Sequence, residues 1–281
     1  MKNILNGPEA ARSMPRPLAA TSTVQTAHYD LVATLVGTAR VVSLVGAGGK
    51  KTTLYALARA LSGRVALSSS SHMAAYDAGV VDEVVTLTAG GPSLPLPSSG
   101  RIVAFGGEAE SAERIHGLTL AQIEQLVGDR SFDHVLLKAD GARARWIKAP
   151  ADYEPIVSPC TDRVLYLISA QVLGAPLDER IAHRVERITA VCGAQPGAPL
   201  TTDHLAALLS SEAGALQGIG QTELLPVINM VDNKTLERQA RAVARIALAM
   251  TTRFDLVVLA TMKTARVIDV VTRADCGEGM K

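Results

Sequence analysis

The residues with most chemistry to offer run from Gly46 to Thr53, in the order Gly-Ala-Gly-Gly-Lys-Lys-Thr-Thr. Glycines let a backbone curl around an anion with no Cβ in the way. Lysines supply point charges for phosphate oxygens, and a threonine hydroxyl suits a magnesium ion. Ahead of them, Val41–Val45 is short, apolar and rich in β-branched residues, which predicts a buried parallel strand. Behind them, Leu54, Leu57, Ala58 and Leu61 repeat at the spacing of one helical face. A strand that turns directly into a helix leaves the first helical N–H groups unpaired, and the helix dipole there favours an anion. Gly46, Ala47, Gly48, Gly49, Lys50, Lys51, Thr52 and Thr53 therefore read as a phosphate-binding loop. The pattern G-x-x-x-x-G-K-[ST] fits in neither register. With Lys50 as the phosphate lysine, Lys51 stands where Ser or Thr belongs and Leu44 where the first glycine belongs. With Lys51 in that role, Lys50 displaces a glycine.

Three further strand ends carry polar side chains. The apolar run from His134 ends in Asp140-Gly141, and in P-loop proteins an acid at such a place holds magnesium, directly or through water. Arg143, Arg145 and Lys148 follow as a dense basic stretch that suits either a bound anion or a solvated loop. The run Val65–Leu67 leads into four serines and His72. Ser70 and His72 are candidates to orient a water there, the alternative being an ordinary polar loop. Leu224–Ile228 leads into Asn229-Met230-Val231-Asp232, the N-x-x-D part of the guanine-reading N-K-x-D pattern with Met230 in the lysine's place. A carboxylate there accepts two N–H bonds from guanine, and adenine lacks that donor pair. A plain strand-end turn is the alternative.

The elements that must position these groups alternate along the chain. Further strands are expected over 80–87, 101–105, 163–168, 256–259 and 267–271. A short helix is expected around Leu31 and Leu35, another over 120–127 stopping at Gly128, and another over 201–209 capped by Thr201 or Thr202. A long one follows with Leu236, Ala240, Val243 and Ala247 on one face. This alternation predicts a three-layer α/β fold, a mostly parallel sheet with helices on both faces. Residues 1–27 read as a loose tail, 28–273 as one nucleotide-binding domain, 88–100 as an irregular loop and 274–281 as a second tail.

The 281 residues are 48% apolar but only 3% aromatic, so the core is built from Ala, Val, Leu and Ile, with few rings for single-stranded nucleic acid. A formal net charge of +1 gives no field for DNA or an anionic membrane. Cys160, Cys192 and Cys276 have neither C-x-x-C spacing nor a zinc pattern, and read as reduced, buried thiols of a cytoplasmic protein. The first residues do not read as a signal peptide, and no apolar run approaches the roughly 20 residues of a membrane span.

Taken together the motifs resemble the YqeC family, known as selenium-dependent hydroxylase accessory or selenium cofactor biosynthesis proteins. The resemblance spans about Leu31 to Val271. It rests on Val45–Lys50, Ser68–Met73, Ala139–Arg143, Lys148–Ala151 with Glu154-Pro155, Leu173–Leu177, His183-Arg184 and Asn229–Asp232. It implies a P-loop protein that binds ATP or GTP with Mg2+ and assists maturation of selenium-dependent molybdenum hydroxylases. Its expected partner is such a hydroxylase or another cofactor-maturation protein. Relatives usually carry Thr or Ser at Lys51 and Glu at Lys138. On this reading Lys50 and Asp140 are catalytic, and Thr52 and Asp140 attend the metal. Gly46 to Thr53, with Asn229 and Asp232, bind the nucleotide. Three activities stay open: triphosphate hydrolysis, a non-hydrolysing switch, and a small-molecule kinase gripping its acceptor with Arg143, Arg145 and Lys148.

Overall fold

The computed structural model describes residues 29–88, 99–111 and 113–276. The tail expected before residue 28, most of the irregular loop after Thr88 and residues 277–281 lie outside them. In chain order the elements are α1 (Leu31–Leu35), β1 (Val41–Gly46), α2 (Lys50–Ala60), β2 (Val65–Ser69), β3 (Met73–Ala74), β4 (Glu83–Thr86) and β5 (Ile102–Gly106). Next come β6 (Ala109–Ser111), β7 (Arg114–Ile115), α3 (Leu120–Gly128), β8 (His134–Lys138), β9 (Ile147–Lys148), β10 (Arg163–Ser169) and β11 (Ala182–His183). The chain continues through α4 (Val185–Cys192), α5 (Thr202–Ser210), β12 (Glu223–Asn229), α6 (Lys234–Met250), β13 (Leu256–Thr261) and β14 (Arg266–Thr272).

Nine strands form one sheet in the order β14-β13-β12-β10-β1-β8-β2-β5-β4. All neighbours run parallel except β14, which turns back antiparallel along β13. Side-chain alternation along β1 explains the three layers. Val42 and Leu44 face Leu54, Leu57 and Ala58 of α2 and Leu35 of α1. Val45 faces the opposite side, where Leu205 and Leu209 of α5 and Val243 and Ala247 of α6 are buried. On that side Val41 joins Ile123 and Leu126 of α3. Every residue of β1 is buried, as befits a central strand. The chain moves to one side of β1 for β2 and β8 and to the other for β10 and β12. Their carboxyl ends thus meet at a topological switch point, where open α/β sheets place ligands.

Several boundaries differ from expectation for local reasons. Val80 and Val81 form a turn on the Asp77 carbonyl, so β4 starts only at Glu83. Gly128 is the last residue of α3 rather than a left-handed stop; the extended Asp129 ends the helix, its N–H on the Gln125 carbonyl. Thr201 caps α5 in a capping box with His204. Ala274–Cys276 is a short 3-10 turn rather than a loose tail, because the Asp275 carboxylate accepts both the N–H and the hydroxyl of Thr272 at 2.7 Å. The cysteines are free but not buried as expected: Cys160 is exposed, and Cys192 and Cys276 are half-buried. Among the described residues no helix is long and apolar enough to cross a membrane.

Candidate functional site

The loop after β1 reaches its shape through glycines with φ of 86° at Gly48 and 109° at Gly49, values that disfavour any side chain. Space is short too. A Cβ at Gly48 would stand 2.7 Å from the Ser169 backbone nitrogen, and one at Gly49 would stand 2.5 Å from Asn229 Nδ2. Helix α2 starts at Lys50, ahead of its apolar face, with Gly49 as a cap that offers no side chain.

The loop's amides divide into two groups. Gly46 N–H donates to Asp140 Oδ2 at 2.9 Å, Ala47 N–H to the Leu167 carbonyl at 2.8 Å and Gly48 N–H to the Arg145 carbonyl at 3.1 Å. The N–H groups of Gly49, Lys50, Lys51 and Thr52 have no acceptor among the described residues. An anion would therefore meet the first turn of α2, whereas Gly46 and Gly48 hold the loop together.

The two lysines part company. Lys51 turns away, donating to the Ala75 carbonyl at 2.7 Å beside the Tyr55 ring. Lys50 turns inward, donating to the Gly46 carbonyl and meeting Asp140 Oδ1 at 2.8 Å. Burial lowers the Lys50 pKa, with Asp140 opposing the shift. The Lys148 ammonium lies 2.8 Å from Asp140 Oδ2 and 2.8 Å from Glu154 Oε2, and donates to the Gly141 carbonyl at 2.7 Å. Arg184 closes the chain of charges at 2.7 Å from Glu154. Lys148 is 1% exposed, because β9 is buried where it pairs with β11, so its ammonium serves Asp140 and Glu154 rather than an external ligand.

Beside this network Lys138 donates to Ser71 Oγ at 2.5 Å. Burial, helped by the charges of Lys50 and Lys148, pushes its ammonium down to about 7. Among the described residues, Lys50, Lys138, Lys148 and Arg184 thus face only the carboxylates of Asp140 and Glu154, an excess of cationic groups that favours an anion.

Two pH dependences follow. Burial pulls the Glu154 carboxyl upward, but hydrogen bonds from Arg184 and Lys148 outweigh it and hold the group at about 2. Its stabilising contribution is complete above the ordinary carboxylate range and is lost as pH falls from about 4.5 towards 2. Urea titrations should show that loss in the wild type and a flatter profile in Glu154→Gln. Lys138 carries fewer protons folded than unfolded between about 7 and 10.5, so it makes stability rise with pH across that window. Lys138→Met should remove that part of the rise; an unchanged slope would refute the buried ammonium.

Of the remaining predicted residues, Thr52, Thr53 and Asn229 adjoin the loop, and the others serve other contacts. Ser70 Oγ donates to the Ile156 carbonyl at 2.9 Å, and His72 turns to Glu110 at 3.0 Å and the His116 ring. Arg143 is exposed, and Arg145 contributes its carbonyl to Gly48. Thr53 Oγ1 bonds back to the Gly49 carbonyl at 3.0 Å. Thr52 is exposed, and its hydroxyl has no hydrogen-bond partner among the described residues. Asn229 Nδ2 donates to the Gly48 carbonyl at 2.8 Å, and its Oδ1 accepts Met262 N–H at 2.9 Å. Asp232 is exposed and held by Gln171 Nε2 at 2.8 Å and Thr261 Oγ1 at 2.7 Å.

Glu154, Arg184, Gln171 and Thr261 escaped the sequence reading as site residues. For the last two, the only available signal was their place after parallel strands. As for a metal, Asp140 Oδ1 lacks a hydrogen bond of good geometry despite its nearness to Lys50, and the Thr52 hydroxyl is free. A hydroxyl and a carboxylate oxygen are the donor types magnesium takes, and an ion carried in on phosphates needs few of them from the protein.

A family model described as YqeC protein matches residues 42–186, from β1 to the start of α4 and so across the whole Asp140 network. The chain belongs to the YqeC family. It is 29% identical over 186 residues to "Uncharacterized protein YqeC" of Escherichia coli (strain K12), an overlap covering 64% of this chain and 72% of that one. The family match ends before Asn229 and Asp232, which this YqeC chain carries on the other half of its sheet.

Proposed function

We propose that this protein binds a nucleoside triphosphate with magnesium at the loop after β1 and hydrolyses it in assisting maturation of selenium-dependent molybdenum hydroxylases. One observation carries the nucleotide part: the unpaired N–H groups of Gly49 to Thr52 open at the carboxyl end of the central strand, beside a lysine and an acid. The maturation role rests on family membership and the motifs that resemble its members. On this reading the first turn of α2 holds the outer phosphates. Lys50 leaves the Gly46 carbonyl to neutralise them, while Lys148 holds Asp140 in place. Magnesium, held by Thr52 and Asp140, would supply further charge neutralisation on the phosphate oxygens. Catalysis here is positioning and electrostatics.

Trp146, the chain's single tryptophan, lies next to Arg145, whose carbonyl takes the Gly48 N–H. Its emission is therefore a built-in reporter. Adding nucleotide and Mg2+ should change Trp146 fluorescence saturably, and Lys50→Ala should weaken binding at least about tenfold, the loss of a charge-assisted contact. No saturable change with any nucleotide, together with no retention in equilibrium dialysis, would remove the reading.

A second reading, binding without turnover, has its own support. Lys50 and Lys148 both sit on the carboxylate that would meet the metal, and Lys138 adds another cation beside them. Phosphate release no faster than in Lys50→Ala, despite tight binding, would favour this switch.

A further inference from the structure

We infer that the base site is built for guanine, with Asp232 as its reader. The inference rests on the phosphate cradle proposed above and adds the choice of base. β12 lies two strands from β1, about 10 Å at the usual strand spacing. A ribose and its α-phosphate bridge such a gap between phosphates on α2 and a base beyond the end of β12.

At that end Asp232 is exposed yet fixed. Thr261 Oγ1, from the end of β13, donates to its Oδ1, and Gln171 Nε2, following β10, donates to its Oδ2. Both donors are neutral, and no cation pairs with the carboxylate within 4 Å among the described residues. Each oxygen accepts one bond from these donors and has capacity for a second, and the residue is exposed. Two parallel acceptors of this kind match two adjacent donors. Guanine presents such donors as N1–H and the exocyclic N2 amine. Adenine presents a ring nitrogen lone pair and a C–H at the same edge, which the carboxylate repels and leaves unpaired.

Asn229 sets the distance between the two sites. Its amide joins the Gly48 carbonyl to the Met262 N–H, so the loop after β1 and the turn after Thr261 share one side chain. Met230 adopts φ of 60°, and its side chain lies near Gly49. Asp232 is thereby held at a fixed offset from the cradle.

The test uses the full chain, Mg2+ and fluorescent diphosphate analogues of guanosine, adenosine and xanthosine. The wild type should bind the guanosine compound at least about 100-fold more tightly than the adenosine compound. Asp232→Asn presents an amide donor towards the xanthine 2-oxygen. It should lose guanosine binding by about that factor and gain xanthosine binding, a gain that misfolding cannot produce. Thr261→Val and Gln171→Ala should give smaller losses for guanosine alone. Equal binding of guanosine and adenosine compounds, unmoved by Asp232→Asn, would overturn the guanine inference and leave the phosphate cradle standing. Absence of binding by every compound would overturn both.

Discussion

Asp140→Ala is expected to cost about 3–5 kcal/mol of folding stability, the penalty for stranding buried charge by removing its partner. Asp140 is 3% exposed and touches Lys50, Lys148 and the Gly46 N–H. Without the carboxylate, two ammonium groups with side chains 5% and 1% exposed lose their main anion. Lys148 retains Glu154, but Lys50 keeps only a carbonyl. Asp140→Asn should fall between alanine and wild type, since it preserves volume and an acceptor. Adding Lys148→Met to Asp140→Ala should recover part of the loss, because it removes one stranded charge. Urea denaturation monitored by circular dichroism measures all three. A loss under about 1 kcal/mol for Asp140→Ala would mean that the network is solvated rather than buried.

Gly48→Val is expected to be of similar size and to abolish nucleotide binding. Its φ of 86° is hostile to a β-branched residue, and the new Cβ would collide with the Ser169 backbone nitrogen, which cannot rotate away. Strain of about 1–3 kcal/mol and overpacking of about 1–3 kcal/mol add, because relief of either moves the loop. The loop would part from Arg145 and carry the first turn of α2 with it. Gly174→Val is the control, since φ there is 79° but no atom lies within 4 Å of a Cβ. It should show only the backbone penalty. Matching losses at the two positions would show that packing at Gly48 contributes nothing.

Much of this arrangement was legible before any coordinates. The run Val41–Val45 announced a central strand because burial on both faces demands apolar residues at every position. The same logic exposed β8, β10 and β12. Asp140 and Asn229 were found because each closes such a run. The partners of these residues were not legible. Lys148 follows Asp140 closely in a basic stretch that reads as anion-binding or solvated, and only the pairing of β9 with β11 draws its ammonium inward. Glu154 and Arg184 meet across 30 positions of sequence, a contact no local pattern encodes. The register of the two lysines depended on where α2 begins. The apolar spacing starts at Leu54, whereas the first turn is fixed by glycine conformation at Gly49. The three-stranded sheet β3-β7-β6 and the pair β9-β11 were missed because strands of two or three residues have no period to detect.

The amide of Asn229 spans two loops that belong to different parts of the chain. Because one rigid planar group serves both, neither loop can relax without breaking a bond in the other. Occupancy of one end should therefore prepay the ordering of the other. A base without phosphates and phosphates without a base would each meet that ordering cost alone, and the intact ligand would bind more tightly than the product of their separate affinities suggests.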